Sequence, residues 1–490
     1  MKTRLLLSVF VSIFLLSQSS CYFMRKSAGG GQIGDIPARA INPADIALPP
    51  GYKIEPVAKG LTFPSAVAMD DQGRLYVIET GYSYGEVWQF PKLLRINGDG
   101  SATTIATGDK NGPWNGMTFY KGSFYIAEGG QADGGKILKV GLDGKIQALV
   151  SGLPSVGDHH TNGPVIKDGY VYFGQGTATN SGVVGSDNAD FGWLKRKSDF
   201  HDIPCKDITL AGQNYTSDNV LTDAAGDIAT TGAFLPFGTP STPGQVIKGK
   251  VPCNGSIMRV PLEGGKPEMV AWGLRNPFGV AVSPDGKLYT AENGYDDRGS
   301  RPVWGAADVL YEIENGKWYG WPDFSAGDNM TTPPKKESEE YKPPRKGDVL
   351  PVMKNYPNDP PRPIATLGVH SSSNGMDFSS NDAFGYAGEV FIAQFGDMSP
   401  KVGKVLAPVG FKVVRVNPRN GVIHDFAVNN SKKNGPASWV DGGGLERPLS
   451  VKFSPDGMSL YIVDFGIMKV TENGPEPQTG TGVIWRVIKR

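Results

Sequence analysis

One short pattern recurs six times along the 490-residue chain: an apolar strand, a glycine turn, an aromatic-rich strand, and a further strand with a basic residue near its end. This repeat restricts the fold more than any other feature. No single copy can bury both faces of its own sheet, so each must lean on the next. Its clearest instance runs Gly273-Leu274-Arg275-Asn276-Pro277-Phe278-Gly279-Val280-Ala281-Val282-Ser283-Pro284-Asp285-Gly286-Lys287-Leu288-Tyr289, and other copies open at Pro64, Asn115, Pro164, Asn374 and Leu449. The last copy, ending in Val483-Ile484-Trp485-Arg486-Val487, is one strand short, while Tyr52-Lys53-Ile54-Glu55-Pro56-Val57-Ala58 alternates as a strand ahead of the first copy. The expected fold is all-β: a six-bladed β-propeller over residues 51–490, closed by its own first strand. A sandwich or solenoid accommodates six near-equal units less well. Two long insertions break the spacing, one at about 187–250 within blade three and one at about 324–363 between blades four and five. Both are expected to be surface excursions that roof or flank one end.

Composition agrees with this reading. The 66 glycines and 38 prolines suit a turn-rich β protein, and the aromatic residues argue against disorder. Lysine plus arginine and aspartate plus glutamate cancel at 49 each, so no general field draws the chain to nucleic acid or an anionic membrane. A small-molecule or protein partner is expected instead. Residues 1–20 read as an export signal, with Lys2 and Arg4 followed by an apolar run too short to span a bilayer comfortably. Cys21 comes next, either as the acylated cysteine of a bacterial lipoprotein or as part of a simply cleaved and secreted chain; Gln18 stands where a lipobox usually has an aliphatic residue. The expected location is exported: periplasmic, lipid-anchored or secreted. Residues 21–50 read as a tether without a core of its own. Cys205 and Cys253 form an even pair in an oxidising compartment and are expected to be disulfide-bonded.

In a propeller the residues just before each inner strand, and the loops between second and third strands, meet at one pole. The first set contains Phe63, Trp114, Asn115, Asp158, His159, His160, Asn162, Arg275, Asn276, His370, Asn374, Glu446 and Arg447; the second adds Tyr82, Tyr84, Gln131 and the loops 175–180, 292–301 and 394–399. Three of the chain's five histidines fall there. Converging imidazoles, guanidiniums and carboxamides suit a polar ligand. A neutral histidine can take a proton from an alcohol, and Asp158 is placed to orient it. Arg275 and Arg447 suit carboxylates. Carbonyls of Asn293-Gly294-Tyr295 with nearby acids suit calcium, although Asp296-Asp297 reads equally well as a solvated turn.

Gly273-Leu274-Arg275-Asn276-Pro277, the following Asp285-Gly286-Lys287-Leu288-Tyr289, and Tyr319-Gly320-Trp321-Pro322 resemble the soluble quinoprotein glucose/sorbosone dehydrogenase family. The resemblance extends over most of the chain from about Gly51. It implies a six-bladed propeller that binds pyrroloquinoline quinone (PQQ) and calcium. By this resemblance Arg275 and Asn276 contact the quinone, Gly294 and Tyr295 supply carbonyls to calcium, and Tyr319 and Asp323 mark a second calcium position. Gly157-Asp158-His159-His160-Thr161-Asn162-Gly163 resembles the family's Asp-His motif, whose histidine is the general base; counting back from Gly163 selects His160, counting from Asp158 selects His159, and the former is favoured. Leu367-Gly368-Val369-His370-Ser371 is similar to the sorbosone-dehydrogenase branch, and Glu446-Arg447-Pro448 matches the family's late arginine. Two departures stand out: Gln394-Phe395-Gly396-Asp397 lacks the expected basic residue, with Lys401 and Lys404 nearby, and the cysteine-bearing insertion is foreign to the glucose enzymes. The implied reaction oxidises an aldose or sugar aldehyde to a lactone or acid, with His-assisted hydride transfer to the quinone and electrons passing to an unidentified acceptor. Competing readings are a calcium-dependent lactonase-type hydrolase using Asn115, Asn162, Asn276 and Asn374, and a non-catalytic lipoprotein propeller binding sugar or protein.

Overall fold

The computed structural model describes residues 38–81, 89–130, 132–189, 192–222, 224–303, 305–331, 349–397, 408–471 and 474–490. Cys21, the export signal, Tyr82, Tyr84, Gln131, Lys401 and Lys404 lie outside them. Six antiparallel sheets built on the predicted repeats form a β-propeller. Blade one is Pro64–Met69, Leu75–Glu79, Lys92–Ile96 and Ala102–Thr107 in spatial order, and the other blades follow the same up-and-down path. Each inner strand packs on the next, and the sixth, Pro448–Phe453, returns to the first. Tyr52–Leu61 pairs antiparallel with the last strand, Gly482–Lys489, and closes the ring as expected.

Two local features set the geometry at the axis. Every inner strand carries a register shift just after it begins, as between Pro277 and Gly279 or Ser373 and Met376. Such bulges turn the preceding residues out of the ladder. Glycine then lets the strands meet: a Cβ on Gly116 would lie 1.5 Å from the Gly163 carbonyl oxygen, and one on Gly279 would lie 2.1 Å from that of Asn374. Between blades the packing is aromatic and aliphatic. Trp485, Phe384, Phe391 and Phe453 make one such layer, and Trp114, Tyr76 and Phe124 another.

The insertions depart from expectation. The second joins Ala307–Glu312 to Ala365–Val369, the third and fourth strands of blade four, rather than separating blades four and five. The residues after it continue the ladder, which a proline-rich stretch concealed. The first insertion is not a surface excursion. It buries Trp193, Leu194, Phe200 and Phe237 against Ala178, and Ile208, Leu210 and Phe234 in the layer around blades three and four. The two insertions are also stitched together, with the Ala211 N–H donating to the Val352 carbonyl and that of Lys354 to Thr209. Cys205 and Cys253 are disulfide-bonded, their Cα atoms 5.0 Å apart.

The tether is also partly structural. Ile46–Ala47 adds a fifth strand to blade five. Arg39 is buried, pairing with Asp464 and donating to the carbonyls of Gly444 and Thr481. Asp464 in turn receives the backbone N–H groups of Glu446 and Arg447 and the indole of Trp485. Removing one partner of a buried ion pair leaves an uncompensated charge. Arg39→Ala is therefore expected to lower unfolding free energy by about 3 kcal/mol, the low end for such pairs because Asp464 keeps other donors. Denaturant titration of the full chain measures it; an unchanged midpoint would return this segment to the status of a tether.

Candidate functional site

The bulged inner-strand starts deliver a continuous charged network to one pole. Arg275 follows Gly273, whose positive φ of 72° and contact with the Trp318 ring leave no room for a side chain. The Arg275 guanidinium is buried. It donates to the Asn180 side-chain oxygen (2.8 and 3.1 Å) and to Asp296 (2.8 Å). Asp296 also meets Arg298 at 3.2 Å and the His370 Nδ1 at 3.4 Å. Arg298 goes on to Asp158 at 2.6 Å and Asp187 at 2.7 Å. Burial alone would raise the Asp296 carboxyl, but Arg275, His370 and Arg298 outweigh it and hold it well below the usual range. Burial likewise opposes charge on His370, yet Asp296, Asp397 and Asp308 leave it raised. Asp158 differs: burial dominates over Arg298 and lifts it to about 6.

Arg447 sits across this network with no exposed surface, between the rings of Phe395 and Phe411, each 5.1 Å from its guanidinium. One terminal nitrogen donates to the carbonyls of Phe395, Gly396 and Asp397 (3.4, 3.3 and 3.0 Å). Its Nε and Nη2 are buried with no partner. Burial pulls its pKa down to about 10, so it stays cationic at neutral pH. A buried guanidinium with unspent N–H groups is a receptor for an anion.

The two histidines part company. His159 Nδ1 lies 3.1 Å from the Thr177 carbonyl and 3.0 Å from its hydroxyl, which itself donates to the Thr179 carbonyl. A carbonyl only accepts, so Nδ1 carries the proton and Nε2 is left as an acceptor. Burial, then Arg275 and Arg298, hold this imidazole well below its ordinary pKa and hence neutral. His160 is turned toward the Ser155 backbone, and burial lowers it to about 4. The amides of Asn162, Asn276 and Asn293 form a chain of hydrogen bonds, Asn162 to Asn276 (3.0 Å) and Asn276 to Asn293 (2.8 Å), while Asn115 donates to the Thr161 carbonyl.

Blade four holds a small internal cavity of about 20 Å³ lined by Arg275, Glu292, Gly294, Tyr295 and Tyr319 among others, room for one ion or water. Glu292 accepts from the Arg275 backbone N–H through one oxygen; the other is buried without a partner. Burial raises this carboxyl to about 8. An unsatisfied carboxyl oxygen in the lining of a space of that size fits a hard divalent cation such as calcium. Gly294 is required there, since a Cβ would lie 2.2 Å from the Ala306 carbonyl oxygen. Among the described residues no group of three or more histidine, cysteine or acidic side chains is placed to hold a metal. Tyr319 packs against Tyr311 and donates its hydroxyl to the Glu312 carbonyl.

Asp323 does not behave as an open calcium ligand. Its carboxylate is fully buried and accepts from Arg301 (2.6 Å) and from the N–H groups of Val352 and Met353. Arg301 is the cation that faces the carboxylate which the family resemblance gives to a second calcium. Sequence reasoning missed Asp308 and placed Arg298 at the pole only as part of the 292–301 loop. Asp308 binds the Gly294 N–H and both Ser371 and Ser373, and only its place at the start of a strand hints at this.

Residues 242–350 match the glucose/sorbosone dehydrogenase family. The matched stretch contains Arg275, Asn276, Glu292, Gly294, Tyr295, Tyr319 and Asp323. No curated protein matches the chain. Among solved structures, the pyranose dehydrogenase PQQ domain of Coprinopsis cinerea aligns over 93% of this chain and 98% of its own with TM-score 0.53 and 14% identity. An AA12-family carbohydrate-active enzyme of Trichoderma reesei covers 94% and 100% (TM-score 0.52, 14% identity), and the soluble aldose sugar dehydrogenase of Escherichia coli covers 90% and 100% (TM-score 0.50, 14% identity). At such identities the likeness is one of fold.

If Arg301 is the partner of Asp323, then Asp323→Asn costs about 3 kcal/mol of stability whether calcium or a chelator is present. Thermal unfolding in both conditions measures this. A loss seen only with calcium would restore Asp323 as a metal ligand.

Proposed function

We propose that this pole is the active site of a PQQ- and calcium-dependent oxidoreductase that oxidises an aldose or sugar aldehyde to the lactone or acid. The observation that carries the reading is a buried arginine with unspent donors, Arg447, at the same pole as Arg275 and a neutral histidine, His159, whose Nε2 is left to accept. PQQ is a tricarboxylated quinone, and cationic, water-poor surroundings suit both its carboxylates and the charge that develops on reduction. Bound here, PQQ supplies the two-electron acceptor and calcium a Lewis acid.

The chain's own residues then divide the work. Arg447 and Arg275 hold the anionic cofactor, with Asn276 beside them and His370 braced by Asp296. Glu292, with the Gly294 and Tyr295 backbone, cradles the cation. His159 Nε2 would take the hydroxyl proton of the sugar, and bound PQQ would supply the acceptor for the two electrons lost when the lactone carbonyl forms. Counting from Gly163 favours His160 for this role; what supports His159 instead is its tautomer and its place in the field of Arg275 and Arg298. Asp158, bonded to Arg298, orients the surrounding loop. We further propose that the mature chain is exported and lipid-anchored or cleaved at Cys21, which mass spectrometry of the purified N-terminus distinguishes.

Titration with PQQ in calcium, followed by dye reduction with a panel of aldoses, tests the main reading. Cofactor-dependent reduction is expected; lactone hydrolysis without PQQ would replace it with the hydrolase reading. His159→Ala should lower turnover by about 10²- to 10⁴-fold while leaving PQQ affinity nearly intact. Equal losses for His160→Ala and none for His159→Ala would reverse the assignment. The lowered pKa of His159 keeps it unprotonated below pH 6.5, so kcat/KM should hold level from pH 8 to 6.5 and fall only in more acid solution. A rising limb centred at or above 6.5 would contradict this.

A further inference from the structure

The first insertion sends one carboxylate inward. Asp202 is 1% exposed, and both its oxygens are spent on a single turn, residues 177–180: one accepts the Ala178 N–H (2.6 Å), the other the Thr179 hydroxyl (2.5 Å). Burial pushes this carboxyl up to about 7. A carboxylate so buried is costly, and an apolar residue would fill the space more cheaply.

The turn it holds is the hub of the site. Thr177 receives the ring and backbone N–H of His159 and donates its own N–H to the Arg275 carbonyl at 2.8 Å. The Ala178 carbonyl accepts the Asp158 N–H at 3.1 Å. Asn180 accepts from the Arg275 guanidinium and the Asp296 N–H, and donates to the carbonyls of Asp296 and Arg298. Proton acceptor, guanidinium and counter-charge therefore share one short piece of backbone.

The insertion is moored at the same place. Ile203 and Asn254 exchange two hydrogen bonds of 2.9 Å, and the Asn254 amide reaches the carbonyls of Pro154 (2.7 Å) and Gly176 (3.0 Å). Pro154 precedes the histidine segment and Gly176 the turn. The Cys205–Cys253 bond flanks this junction on both segments.

We propose that Asp202, moored by the Cys205–Cys253 bond, is a positioning residue that fixes the 177–180 turn and through it aims His159 and braces Arg275. The proposal rests on the functional reading above and makes the cysteine-bearing insertion part of the catalytic framework. Removing the carboxylate frees the Ala178 N–H and the Thr179 hydroxyl, and the turn relaxes by about 1 Å. Displacement of about 1 Å at a reacting group costs on the order of 10²-fold in rate.

The test uses the full chain with PQQ and calcium, comparing wild type, Asp202→Ala, Asp202→Asn, and the Cys205→Ser/Cys253→Ser pair. Asp202→Ala should weaken PQQ binding by about 10-fold through Arg275 and lower kcat by about 10²-fold through His159, with sugar KM changed less. Asp202→Asn, which still accepts one hydrogen bond, should recover part of both; the cysteine pair should move both in the same direction by a smaller factor. Hydrogen exchange on cofactor-free protein gives a separate readout. Residues 154–163 and 176–182 should lose protection in Asp202→Ala while the inner strands of blades one, five and six keep theirs. Normal PQQ affinity and kcat in Asp202→Ala, with only a lower melting point, would overturn the proposal. Should wild type take up no PQQ, the functional reading fails and exchange alone decides: retained protection at 176–182 overturns the positioning role, and selective loss there supports it.

Discussion

Backbone-to-backbone contact around the axis is the constraint on which everything else rests. Where Gly116 faces the Gly163 carbonyl, and Gly279 that of Asn374, no side chain fits between adjacent inner strands. Six sheets drawn this close must twist past one another, and each inner strand begins with a bulge that turns its preceding residues toward the pole. The same tightness that packs Trp485 and Phe391 between blades thus delivers Arg275, His159, His370 and Arg447 to one end. The site is a by-product of how the ring closes.

At that end, charge is managed by alternation. Asp158, Arg298, Asp296 and Arg275 follow one another by direct contact, and His370 extends the series toward Asp397 and Arg447. In a dry interior an isolated charge is prohibitively costly, whereas a chain of opposite signs distributes that cost. Arg447 is the exception, since it ends the series with donors unspent. Such an imbalance is the kind of local violation expected where an anionic ligand completes the structure.

The propeller was legible because its signal is periodic. Strands such as Leu288-Tyr289-Thr290-Ala291 repeat at the right intervals, and the unpaired Tyr52-Lys53-Ile54 announced its own role. The pole was legible in outline, since inner-strand starts can be counted. What sequence did not carry was direction. His159 and His160 are adjacent, and only the Thr177 hydroxyl and carbonyl decide which ring meets the arginines. Asp323 looked available for calcium because nothing in the sequence pairs it with Arg301. The insertion around Asp202 read as a roof because its polar composition hides a few buried aromatics, Trp193 and Phe200 among them, that pull it inward. The fourth strand of blade four was lost behind prolines for a similar reason. Long-range partners chosen by packing leave no local trace.

Closure by Tyr52–Leu61 against Gly482–Lys489 sets an order of events during synthesis. The closing strand is made five blades ahead of the partner it pairs with. Until that partner exists blade six lacks an edge and the circle stays open, with two raw sheet margins facing the surroundings. The meeting of these two distant strands, rather than collapse of any one blade, is what makes the ring whole.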